Sequence, residues 1–91
     1  MEEQKIKQDE IHIGKNIRRI RKQRGIGQTE LTVLLQLKGV DMTRETLVKI
    51  ERGIQHIKAS QLCAIRDILG TTYDDLLKKD CESFDQSDIN I

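Results

Sequence analysis

Proline and tryptophan are absent from the 91 residues, and Tyr73 and Phe84 are the only phenyl side chains. The core must therefore be aliphatic, and a stacking platform for single-stranded nucleic acid lacks the exposed rings it would need. Cysteine is scarce too. Cys63 and Cys81 do not make a disulfide framework, and together with His12 and His56 they match no paired ligand spacing for zinc. No metal and no cofactor is expected. Cys63 lies in line with apolar neighbours and reads as a small buried hydrophobe, His12 and His56 as surface residues. There is no signal-peptide pattern and no run of 18 apolar residues, so the chain reads as soluble and cytoplasmic, without a membrane partner. A glycine-rich phosphate loop is missing, no nucleophile has an evident base, and so short a chain encloses a pocket poorly. An enzyme is not expected.

What is present is ionic and aliphatic: 34% of residues are charged and 36% hydrophobic, enough for one small domain with a single modest core. The net charge of +1 conceals a strong asymmetry. Residues 13–58 hold eleven basic against four acidic side chains, a net +7, whereas residues 1–12 carry −2 and residues 59–91 carry −4. A basic middle in a nearly neutral chain points to one surface that faces a polyanion.

Apolar residues recur at intervals of three and four, and no segment alternates with period two. The runs predict helices at about 13–24, 28–38, 44–52 and 59–69, with a short fifth around Tyr73, Leu76 and Leu77. Gly25, Gly39, Gly53 and Gly70 each follow one of these runs, where a left-handed C-terminal cap is wanted. The expected fold is all-α, a bundle of about five short helices over residues 13–78. Residues 1–12 form a polar arm in this reading, in which Asp9 can cap a longer first helix. Residues 79–91 form an acidic tail expected to be disordered unless a partner orders it.

The third predicted helix, in GVDMTRETLVKIERG, divides its faces. Thr43 is a good N-cap, Arg44, Glu45, Val48, Lys49 and Arg52 share one side, and Leu47, Ile50, Glu51 and Ile54 share the other. A helix entering a major groove reads bases with its N-terminal residues. Arg44 suits guanine O6 and N7, Glu45 cytosine N4, Val48 a thymine methyl, and Lys49 guanine or a phosphate. Gln28 and Thr29, in the first turn of the second helix after Gly27, suit a phosphate oxygen, and Thr43, Arg52 and Lys58 are further phosphate candidates. Charged amphipathic helices are common, so this pattern alone is weak.

Several linked motifs add to it. IRRIRKQRG closes the first helix, Gln-x-x-Leu opens the second, Ile-Glu-Arg-Gly ends the third, and LGTTYDDLL follows the fourth. In that order the chain resembles the lambda-repressor-like helix-turn-helix family, the five-helix domain of phage Cro and repressor proteins, over residues 13–78. The resemblance implies that Gln28 contacts a phosphate and buttresses the start of the recognition helix, and that Arg44, Glu45 and Lys49 read bases. It also implies that Arg21 and Glu51 form a partly buried ion pair between the first and third helices. The carboxylate of Glu51, on a core-facing side, requires such a partner in any case.

The chain departs from the family pattern in places. Gly27 replaces a usual Ser or Thr, Thr32 a small residue, Val48 a frequent Ser, Lys58 a common Ser or Thr cap and Arg66 a usual Ala. Gln28 and Glu51 stand 23 positions apart, about five more than is usual in the family. Residues 37–41 absorb the excess, with Gly39 as C-cap and Val40 folded back, so helix 2 or the turn after it is expected to be extended. The added residues read as a tolerated surface insertion in preference to an extra backbone contact by Lys38.

The expected function is a sequence-specific regulator of transcription that binds double-stranded DNA, a repressor acting as a homodimer on a pseudo-palindromic operator. Tyr73, Leu76 and Leu77 are the dimer candidates, because apolar residues late in the chain have least core left to cover. The alternative is an antitoxin or phage-type regulatory module that binds a protein partner through residues 79–91.

Overall fold

Ile13, Ile17 and Ile20 lie on one stripe of helix α1 (Ile13–Gln23), and all three are buried. The structure, a computed structural model, describes residues 5–6 and 12–78. Four further helices follow: α2 (Gln28–Leu37), α3 (Arg44–Glu51), α4 (Ala59–Leu69) and the single turn α5 (Tyr73–Leu76). The predicted boundaries hold to within about two residues. Gly25, Gly39, Gly53 and Gly70 all have positive φ, as their places after helix ends require.

One aliphatic core joins the five helices. Ile17 of α1, Leu31 and Leu35 of α2, Leu47 and Ile50 of α3, Ile65 of α4 and Leu76 of α5 are all at 0% exposure. Full burial contributes about 1.5–3 kcal/mol for each such side chain. Gly14 permits the closest approach in this packing. A Cβ there would run into the carbonyl oxygen of Ile50 and the backbone of Glu51, so α1 can lie directly against the end of α3 only because the side chain is hydrogen.

The long stretch between α2 and α3 is organised. Lys38 ends α2, Gly39 turns left-handed at φ 84°, and the N–H of Val40 returns to the carbonyl of Leu35 at 2.9 Å. That is the hydrogen bond of a Schellman ending, and Val40 packs partly buried on the core. Met42 then drops into the core at 2% exposure. The connection is pinned at both ends, an anchoring that periodicity within the helices does not reveal.

Two features differ from the sequence reading. Lys5–Ile6 forms a strand β1, antiparallel to β2 (Ile57–Lys58), in register Lys5 with Lys58 and Ile6 with Ile57. Two residues are too few to show a period, and the pairing ties part of the expected polar arm to the lead-in of α4. Ile54, expected on the core side with Leu47 and Ile50, is 64% exposed. Gly53 ends α3 at φ 78°, so the helical phase no longer applies one residue later. The proposed cap Asp9, together with Cys81, Phe84 and the tail from Lys79 onward, lies outside the described residues.

Candidate nucleic-acid interface

Helix α3 starts at a built cap. Thr43 is extended, and its Oγ1 accepts from the N–H of Thr46 at 3.1 Å. The helix buries Leu47, Ile50 and Glu51 and leaves Arg44, Glu45, Lys49 and Arg52 exposed, with Val48 half-buried. Among the described residues no ion pair engages Arg44, Lys49 or Arg52. This face therefore offers donors to an external acceptor.

Glu51 is held from two other helices. Arg21 Nε donates to Oε2 at 2.8 Å and Arg21 Nη2 to Oε1 at 3.1 Å, a bidentate pair with both side chains nearly out of solvent. Gln28 Nε2 donates to the same Oε1 at 3.1 Å, and Arg21 Nη1 reaches the carbonyl of Ile26 at 2.9 Å. The buried carboxylate has three donors, and the buried guanidinium is used on three nitrogens. Gln28 thus supports the last residue of α3, not its start as the family pattern implies. The long α2–α3 connection, with Thr43 as cap, holds the other end.

The outward face of α3 is divided further. Val48 and Arg52 turn toward α1, where with Gln28 and Glu51 they line a groove of about 680 Å³. The opposite wall is Lys15, Arg18, Arg19 and Lys22 of α1. Five cations line the groove against one carboxylate, which is already paired. Glu45, Arg44 and Lys49 lie outside it. Thr43 and Lys58 line a separate hollow of about 280 Å³ with Asp41, Thr46 and His56, and Thr29 is exposed but lines neither. His56, expected at the surface, is half-buried, and its Nδ1 is shielded without a hydrogen-bond partner among the described residues.

The α1 row was not among the sequence-derived site residues. Its signal was legible, since positions 15, 18, 19 and 22 recur at three and four. Composition could not show which cations of the basic middle are consumed internally. Arg21 pairs with Glu51, and Arg24 caps α4 by donating to the carbonyls of Leu69 at 2.8 Å and Gly70 at 3.3 Å. Asn16 was missed as well. It is buried, and its Nδ2 donates to the carbonyls of Leu76 and Lys78, both at 2.8 Å, closing the end of α5 onto α1.

Departures from the family pattern find local compensation. Thr32 is buried with its hydroxyl donating to the carbonyl of Thr29 at 2.7 Å. Gly27 has no side chain to cap with, and only the reciprocal bond exists, Glu30 Oε1 accepting from the N–H of Gly27 at 3.4 Å. Gln61 does the equivalent for Lys58 at 2.9 Å. Arg66 lies over the ring of Tyr73, 4.5 Å from its centroid, pairs with Asp67 at 2.8 Å and places Nη2 3.8 Å from Cys63 Sγ. Cys63 is half-buried instead of fully packed, and its proximity raises the Tyr73 phenol above the usual tyrosine range.

The late apolar residues separate. Leu76, named as a dimer candidate, is at 0% exposure because α5 turns it into the core; Leu77 is half-buried and Tyr73 is 38% exposed. No helix among the described residues is long and apolar enough to cross a membrane.

A family model described as helix-turn-helix matches residues 17–76. No curated protein and no solved structure matches the chain. With α2 and α3 in the required order, a capped α3 carrying its charges outward and the matched segment running from within α1 to the end of α5, the chain belongs to the lambda-repressor-like helix-turn-helix family of DNA-binding regulators.

Proposed function

We propose that the protein is a sequence-specific transcriptional repressor that places α3 in the major groove of double-stranded DNA. The observation that carries this reading is the exposed, unpaired face of α3 flanked by the cationic groove of α1. Arg44, Glu45 and Lys49 address base edges, Arg44 by a bidentate pair with guanine and Glu45 by accepting from cytosine. Val48, half-buried at the groove wall, meets a thymine methyl at the margin. The sugar-phosphate strand runs along Arg18, Arg19, Lys22 and Arg52, with Gln28 and Thr29 at the start of α2. Thr43 and Lys58 contact the other strand.

One eight-residue helix specifies few base pairs. A two-fold homodimer on half-sites about one helical turn apart (~34–36 Å) doubles the contact. Tyr73 and Leu77 are the dimer residues that stay accessible after Leu76 is removed from the set. Glu51 is satisfied by three donors, so a structural role accounts for the one buried carboxylate among the described residues without catalysis.

The test is selection from a randomised duplex library, followed by binding of Arg44→Ala to the selected sequences. Enrichment of an inverted repeat is expected for the wild type. Arg44→Ala should lose about 1–3 kcal/mol and relax preference at one position of each half-site. Recovery of no sequence preference in the wild type would overturn the reading.

A further inference from the structure

We propose that the groove between α1 and α3 has a second occupant, the acidic segment of residues 80–88 of the same chain, which competes there with the DNA backbone. The competition rests on the DNA-binding reading of that groove; the docking of the segment does not.

Three observations converge on this occupant. The groove is strongly cationic, with Lys15, Arg18, Arg19, Lys22 and Arg52 against the one paired carboxylate of Glu51. The described residues end beside it. Asn16 Nδ2 donates to the carbonyl of Lys78 at 2.8 Å, and Oδ1 of the same side chain accepts from Arg19 Nη2 at 3.4 Å, so the last described residue is one side chain away from the groove wall. The segment that follows carries Asp80, Glu82, Asp85 and Asp88 against Lys79 alone.

Reach favours an intramolecular contact. At about 3.3–3.6 Å per extended residue, chain length alone limits Asp80 to about 7 Å from Lys78 and Glu82 to about 14 Å. A tether this short holds the carboxylates at millimolar effective concentration beside the guanidinium groups, before any specific geometry is required. The spacing of the acids, at intervals of two and three, follows that of backbone phosphates only loosely. The segment therefore acts as a screened, displaceable polyanion and not as a plug. A duplex that offers good base contacts to Arg44, Glu45 and Lys49 displaces it; a duplex held by backbone alone does so less well. The segment thus raises discrimination between specific and nonspecific DNA.

The test uses the full chain and the variant Asp80→Asn/Glu82→Gln/Asp85→Asn/Asp88→Asn, each with and without Arg18→Gln/Arg19→Gln/Lys22→Gln. Without DNA, amide and guanidinium NMR shifts at Arg18, Arg19, Lys22 and Arg52 should differ between wild type and the neutralised segment, independently of protein concentration. On a nonspecific duplex at low salt, neutralising the segment should tighten binding about three- to tenfold. That gain should vanish in the groove-neutralised background, the signature of direct coupling. Unchanged shifts together with equal affinities would overturn the docking and leave the DNA-binding reading intact. Shifts that appear only as concentration rises would overturn it in favour of contact between copies. Changed shifts with no DNA binding by either chain would support the docking and sink the DNA reading. Changed shifts with unaltered DNA affinity would overturn the competition.

Discussion

Glu51 shows how much one side chain can announce. A carboxylate on an apolar helical face demands a cationic partner, and Arg21 supplies it in a bidentate pair with Gln28 adding a third donor. Removing one member leaves a buried charge uncompensated, so Arg21→Ala is expected to destabilise the domain by roughly 3–5 kcal/mol in urea unfolding. Replacing both as Arg21→Met/Glu51→Leu should recover most of that loss. A double variant as unstable as the single one would contradict this account. Gly14 and Asn16 were illegible by comparison, because each is explained by a partner far along the chain: Gly14 by the backbone of Ile50 and Glu51, Asn16 by the carbonyls of Leu76 and Lys78. Gly14→Ala should cost about 1–3 kcal/mol or more through forced separation of α1 and α3, although alanine is the better helix former. A stabilised Gly14→Ala protein would show that the two backbones part easily.

Helices were legible because glycine and apolar spacing mark them locally, whereas their connections depend on what lies across the core. Met42 is the clearest case. It sits between Asp41 and Thr43 with no periodic partner, yet it is buried and ties the long connection to the domain. Met42→Ala is expected to lose about 2–5 kcal/mol, measured by thermal or urea unfolding. Ile54 is the converse: helical phase assigned it to the core, and the left-handed Gly53 put it in solvent. At the other end of α3, Thr43→Ala removes the cap on Thr46 and should cost about 1 kcal/mol of stability. It should also weaken specific DNA binding if the first turn of α3 frays, a loss that affinity measurements on a selected duplex would register.

At the scale of the whole molecule, charge distribution carried the functional signal and packing refined it. The basic middle pointed to one polyanion-facing surface, but two of its arginines, Arg21 and Arg24, serve the fold itself. Arg18, Arg19 and Lys22 of α1 face α3 across a groove, which no count along the chain could show. Helix order and core were readable from sequence; the partition of cations into structural and available ones was not. The measurement that bears most directly on the central claim is the affinity of the wild type for a selected duplex across salt, beside that of Arg18→Gln/Arg19→Gln/Lys22→Gln. Each phosphate contact contributes about 0.9 to the log–log slope, so the triple variant should lose about two to three units of slope while keeping the wild-type base preference. Binding that does not respond to salt, or a triple variant with the full wild-type slope, would contradict the assignment of the α1–α3 groove to the DNA backbone.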